Sequence, residues 1–148
     1  MKKTALLLIG TCVAVMLVAL SPFIVVAHRE SRARLAFGRV VAAGGSVCYD
    51  NLDAGIRFSA GRPSGFFESC TCYQPDLYTG HLSFAEQCAL APDIAAIANS
   101  GRKTRVEFTN IPAMTKFYEE TKDNALRGCF IEFEVIADHW CFLIVSCR

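Results

Sequence analysis

From Ala5 to Ala27 the chain runs 23 residues without a charge, with Lys2 and Lys3 before the run and Arg29, Arg32, Arg34 and Arg39 after it. At a rise of ~1.5 Å per residue, a helix of that length covers about 34 Å, enough to cross the ~30 Å hydrocarbon layer of a bilayer. Pro22 inside the run lacks an N–H and predicts a bend. The pattern then changes. Between Glu30 and Ala43, the apolar Ala33, Phe37, Val40 and Val41 recur at i, i+4, i+7 and i+8, with the arginines mostly off that stripe. This predicts an amphipathic helix, closed by Gly44-Gly45, which supply residues able to take a positive φ.

Beyond the glycines the periods shorten. Val47-Cys48-Tyr49 and Ile56-Arg57-Phe58 flank a turn-rich stretch and predict a hairpin. Residues 59–80 carry scattered Gly and Pro and predict loop, with one helical turn at Phe66–Ser69. Leu82-Ser83-Phe84, Val106-Glu107-Phe108 and Ile131-Glu132-Phe133 repeat one apolar–polar–Phe pattern at intervals of 24 and 25 residues. Each reads as a short strand. The intervals hold helical patterns at Pro92–Asn99 and at Pro112–Leu126, the second closed by Gly128. At the chain end, Phe130–Ile136 and Trp140–Ser146 read as an antiparallel hairpin. A turn centred on Asp138 pairs residues whose numbers sum to 276 and sets Cys129 opposite Cys147, close enough for a cross-strand disulfide.

The pattern therefore divides the chain into residues 1–28, a membrane anchor or signal segment; 29–45, a juxtamembrane amphipathic helix; and 46–148, a small domain of short strands alternating with helices, of the α/β or α+β class. A signal h-region is usually ~7–15 residues, which favours a retained helix over cleavage after Ala27. The segment after Ala27 suits one domain. A net charge of +1 excludes a general attraction to phosphate backbones, and no aromatic-interleaved basic stripe points to nucleic acid. Arg29, Arg32, Arg34 and Arg39 beside the apolar run predict contact with the lipid surface. Flanking charge leans toward a cytoplasmic domain, whereas seven of the eight cysteines lie after the run and lean toward an oxidising, extracytoplasmic side. The cysteine density decides for the latter.

Arg32 to Val41, then Gly44-Gly45-Ser46-Val47-Cys48-Tyr49-Asp50, then the strands at Leu82, Val106 and Ile131 make the chain resemble bacterial single-pass membrane proteins with degenerate leucine-rich-like repeats. The resemblance implies a protein-interaction surface without catalysis, and strands that stack in parallel.

Candidate chemistry is sparse. Cys70 and Cys72 with His81 and Cys88 supply zinc-type ligands, but Cys-x-Cys on an extended chain aims its sulfurs to opposite faces. No metal or cofactor is expected. Cys141 near His139 offers a thiol with an imidazole, and with Cys70 and Cys72 it forms the thiol site of an alternative reading. Glu132 and Glu134 share a strand face, the placement of solvated residues. The expected function is a membrane-anchored, non-catalytic interaction module whose partners are membrane lipids and another protein. The alternatives are a membrane-tethered thiol-dependent enzyme or redox protein, and an exported disulfide-containing protein.

Overall fold

The computed structural model describes residues 2–51, 56–60, 75–100 and 103–147. Helix α1 (Lys2–Ala42) is unbroken: the apolar run and the amphipathic segment are one element of 41 residues containing Pro22. Proline at position 22 deprives the Val18 carbonyl, four residues back, of its normal N–H donor. The Ser21 hydroxyl donates to that same carbonyl at 2.9 Å. In hydrocarbon an unsatisfied carbonyl costs several kcal/mol, so the Ser-Pro pair is the form in which a proline is tolerated there. The helix is the one described element long and apolar enough to cross a membrane, with a best-window mean hydropathy of 2.5. Its C-terminus closes as the glycines require. Gly44 takes φ +94°. A Cβ on Gly45 would stand 2.9 Å from Val40 Cγ1 and 3.0 Å from Val40 O, so no larger residue fits there.

Strands β1 (Ser46–Asn51) and β2 (Ile56–Ala60) form the first antiparallel hairpin; β3 (Asp76–Tyr78) then pairs antiparallel to β1. The chain continues through α2 (Phe84–Ala89) and α3 (Ala91–Ala98) to β4 (Thr104–Phe108), which lies parallel to β3. After α4 (Ile111–Thr121), the hairpin β5 (Phe130–Ala137) and β6 (Trp140–Ser146) completes a six-stranded mixed sheet in the order β2-β1-β3-β4-β6-β5. The architecture is α+β, with helices on one face of the sheet.

The core forms where α1, α3 and α4 meet β4 and β6. Ala33, Ala36, Phe37 and Val40 from α1 are buried with Ile94, Ile97, Val106, Phe108, Phe117, Leu143 and Val145. The stripe of α1 is thus a core element of the domain, its apolar face packed against the sheet and α3. On the opposite sheet face, Arg105 bonds Asp76 at 3.2 Å and Glu134 at 2.9 Å, and its guanidinium stacks 4.0 Å above the Phe142 ring. One side chain therefore ties β3, β4, β6 and β5 together. Burial pushes the Asp76 carboxyl above its usual range, against the opposing pull of Arg105.

Several expectations need correction, beginning with the predicted loop 59–80, which contains β3. Leu82-Ser83-Phe84 is not a strand: Ser83 caps α2, its Oγ accepting from Glu86 N while Glu86 Oε2 accepts from Ser83 N. Satisfying two backbone donors at once outweighs the weak strand propensity of three residues. The strands at Val106 and Ile131 are not neighbours, because β6 lies between β4 and β5 and is antiparallel to both. A parallel stack of three repeats is therefore not formed. The second helix also stops at Thr121, whose hydroxyl donates to Phe117 O at 2.7 Å, and turns carry the chain to Gly128 at φ +81°. The turn at Phe66–Ser69 and residues 52–55 lie outside the described residues.

If α1 belongs to the core, Phe37→Ala in the full-length, detergent-solubilised protein should cost about 3–5 kcal/mol. Leu35→Ala, at a site 62% exposed on the same helix, should stay within about 0.5 kcal/mol. Denaturant unfolding followed by the emission of Trp140 measures both, and an unchanged midpoint for Phe37→Ala would place the stripe outside the core.

Candidate functional site

A concavity lies where α1 leaves its apolar run. One wall is the α1 face carrying Ile24, Val25, His28, Arg29 and Arg32; the other is Pro92, Ala95, Ala96 and Asn99 of α3, with Ala125, Arg127, Gly128 and the Cys129–Cys147 pair. Its volume is about 700 Å³. The α1 face continues the stripe of Ala33 and Ala36 toward the N-terminus, changing from apolar to basic and back to apolar within three turns. The far wall is set by the last hairpin. Residues 130–135 pair with 146–141 in the register that sums to 276. Just beyond it, Cys129 and Cys147 are bonded, S–S 2.04 Å, with Cα atoms 4.3 Å apart. Gly128 and the disulfide fix the turn from which Arg127 projects.

The four arginines following the apolar run meet different fates. Arg39 bonds the Asp93 carboxylate through Nε at 2.6 Å and Nη2 at 2.5 Å, tying α1 to the first turn of α3. That partner raises the Arg39 pKa further. The Arg39 head is held by the domain through Asp93, although 57% of the side chain stays exposed. Arg34 lies 3.7 Å from Glu30, one turn away and largely in solvent. Arg29 and Arg32 line the groove, and no described carboxylate forms an ion pair with them or with Arg127.

The thiols divide similarly. Cys141 is fully buried, its Sγ 3.5 Å from Phe108 O, and burial raises its pKa, with Glu107 adding to the effect. A nucleophilic thiol needs the opposite shift and an open approach. His139 sits in the exposed hairpin turn, and the Cys141 thiol faces the core instead. Cys70 and Cys72 lie outside the described residues. His81, expected to be a ligand candidate with Cys88, places Nε2 2.7 Å from Gly44 O and so secures the end of α1; no group of metal-ligating side chains occurs among the described residues. Glu132 and Glu134 are held by Lys103 and Arg105. Sequence reasoning missed Arg127, because nothing local distinguishes it from any other surface cation.

A second feature is the outer edge of the sheet. β5 ends the strand order, and Phe130, Phe133, Val135, Ile136 and Trp140 along this hairpin are 44–64% exposed. Tyr118 of α4 meets Phe133 edge-on at 5.3 Å, backing one side of the strip. Comparison with protein-family models, curated proteins and solved structures finds no match.

Alkylation of the native protein at about pH 8 should leave Cys141 unmodified, because burial both shields the thiol and keeps it protonated where a free cysteine with pKa about 8.5 already reacts. Adding denaturant should expose it. Peptide mass mapping reads the outcome, and labelling of native Cys141 near pH 7 would restore the thiol-enzyme reading.

Proposed function

We propose that the chain is a single-pass membrane protein whose domain is a non-catalytic protein-interaction module, held on the extracytoplasmic side. The apolar edge strand β5 carries this reading. An edge strand has a row of backbone groups that a partner strand can complete, and exposed edges of this kind are usually blunted by charge, proline or cover. Here the two acidic residues are engaged by Lys103 and Arg105. The large apolar side chains remain exposed. The occupant that suits such an edge is an extended apolar segment of another membrane-proximal protein, which would add a strand and cover Phe130, Ile136 and Trp140.

The Cys129–Cys147 bond supports the oxidising side of the membrane, since such bonds persist in export compartments. The likeness to bacterial single-pass proteins supports the anchor through Arg32–Val41 and the Gly44-Gly45 element, and not through stacked repeats. An exported form cleaved after Ala27 would retain the whole buried stripe from Ala33 to Val40, so the domain itself is compatible with either fate. Intact mass decides between them.

A photoreactive side chain placed at Trp140, on the same exposed strip, should yield an adduct of one discrete size with a second protein. A Phe130→Lys, Ile136→Lys double variant should abolish it while keeping the unfolding midpoint. An adduct of twice the chain's own mass would make the partner another copy, and absence of any adduct in the native membrane would remove the edge as the interaction surface.

A further inference from the structure

We infer that the groove between α1 and the 125–129 turn binds the phosphate of an anionic phospholipid from the leaflet that α1 leaves. The inference rests on the membrane insertion of α1 proposed above.

Charge is the first observation. Arg29 and Arg32 come from one wall and Arg127 from the other, so cations converge on the space from both sides. Among the described residues that line it, none is a carboxylate. Glu30, next to Arg29, stands beside Arg34, and Asp93, next to Pro92, is held by Arg39. Converging guanidinium groups suit a phosphate diester, whose oxygens accept paired N–H donors.

Depth is the second. From Ala27, the end of the uncharged run, to Arg32 a helix rises about 7.5 Å. The polar zone of each leaflet is about 5–8 Å thick, so the arginines stand at head-group level when the run fills the hydrocarbon. Continuity is the third. Ile24 and Val25 form the membrane end of the same groove, so it is apolar where an acyl chain enters and basic where the phosphate lies. A free phosphate ion would use only the basic end.

The test uses full-length protein in nanodiscs of phosphatidylcholine with and without phosphatidylglycerol, read by native mass spectrometry of the lipid retained. Wild type should keep phosphatidylglycerol in preference to phosphatidylcholine. Arg127→Gln should weaken that retention by at least about tenfold, the scale of one lost charge-assisted hydrogen bond. Arg34→Gln removes the same charge from the solvent side of α1 and should change it by no more than about twofold. Arg127→Lys should restore part of the loss, and the unfolding midpoint should match wild type in all three. Equal losses in Arg127→Gln and Arg34→Gln would reduce the effect to diffuse attraction and overturn the site. Displacement of the lipid by inorganic phosphate at equal concentration, or equal retention of phosphatidylcholine, would overturn the assignment of the ligand. Carbonate extraction of native membranes separates the two levels: release of wild type removes the anchor and the site together, whereas a retained protein without lipid preference removes the site alone.

Discussion

The structure depends on one constraint, that α1 crosses from a run suited to hydrocarbon into a water-soluble core without a break. A helix can change solvent along its length only if each segment presents the right side chains to each medium. Here the first part is apolar all round, which suits lipid, and the second narrows to Ala33, Ala36, Phe37 and Val40 on one face. Because those four residues are in the core, the domain cannot swing freely about a linker at residues 29–45. Its height and its rotation relative to the apolar run are set by the helix. Gly44 and Gly45 act at the other end of this lever, turning the chain into β1 within the space that Val40 leaves. His81 bonds the Gly44 carbonyl and Gln87 bonds Thr79 O at 2.8 Å, so the segment leading from β3 into α2 is secured to the same corner.

The sheet carries different chemistry on its two faces. Toward the helices, β4 and β6 present Thr104, Val106, Phe108, Cys141, Leu143 and Val145, all buried. On the far face Arg105 is shared between Asp76 and Glu134 over the ring of Phe142. Arginine suits this place because its planar fork can serve two carboxylates while its flat face covers an aromatic ring. The pairing also explains why Glu134, which reads as an ordinary solvated strand residue, does not make β5 an acidic edge. With its charge engaged, the strand presents mainly apolar side chains outward.

Much of the fold was legible because it follows local periods. The 23-residue uncharged run, the α1 stripe, Pro92 and Pro112 near the starts of α3 and α4, and the register of the last hairpin all follow from spacing alone. Where the reading missed, a stronger local rule or a nonlocal pairing was responsible. Ser83-Phe84-Ala85-Glu86 is a capping box in plain view, and it overrides the apolar alternation that made Leu82–Phe84 resemble a strand. The insertion of β6 between β4 and β5 is a sheet-level choice that no three-residue similarity can disclose. The site was less legible than the fold. Arg127 acquires significance only because the Cys129–Cys147 hairpin brings it opposite α1, some hundred residues away in sequence.

The basic cluster shows why counting charges near a membrane is a blunt instrument. Residues 29, 32, 34 and 39 carry the same side chain within eleven positions, and surface electrostatics alone would assign each about 1 kcal/mol toward anionic lipid. Helix geometry separates them. At 100° per residue, Arg29 and Arg32 fall on the face shared with Ala33 and Ala36, but above the point where the domain makes contact, which leaves them facing a gap. Arg39 lies deep enough along the helix to meet α3, and the carboxylate of Asp93 takes it. Arg34 points away from the domain and meets Glu30, one turn away. Direction and depth along one rigid helix, rather than net charge, decide which arginine holds the domain together, which is solvated, and which are left facing the groove.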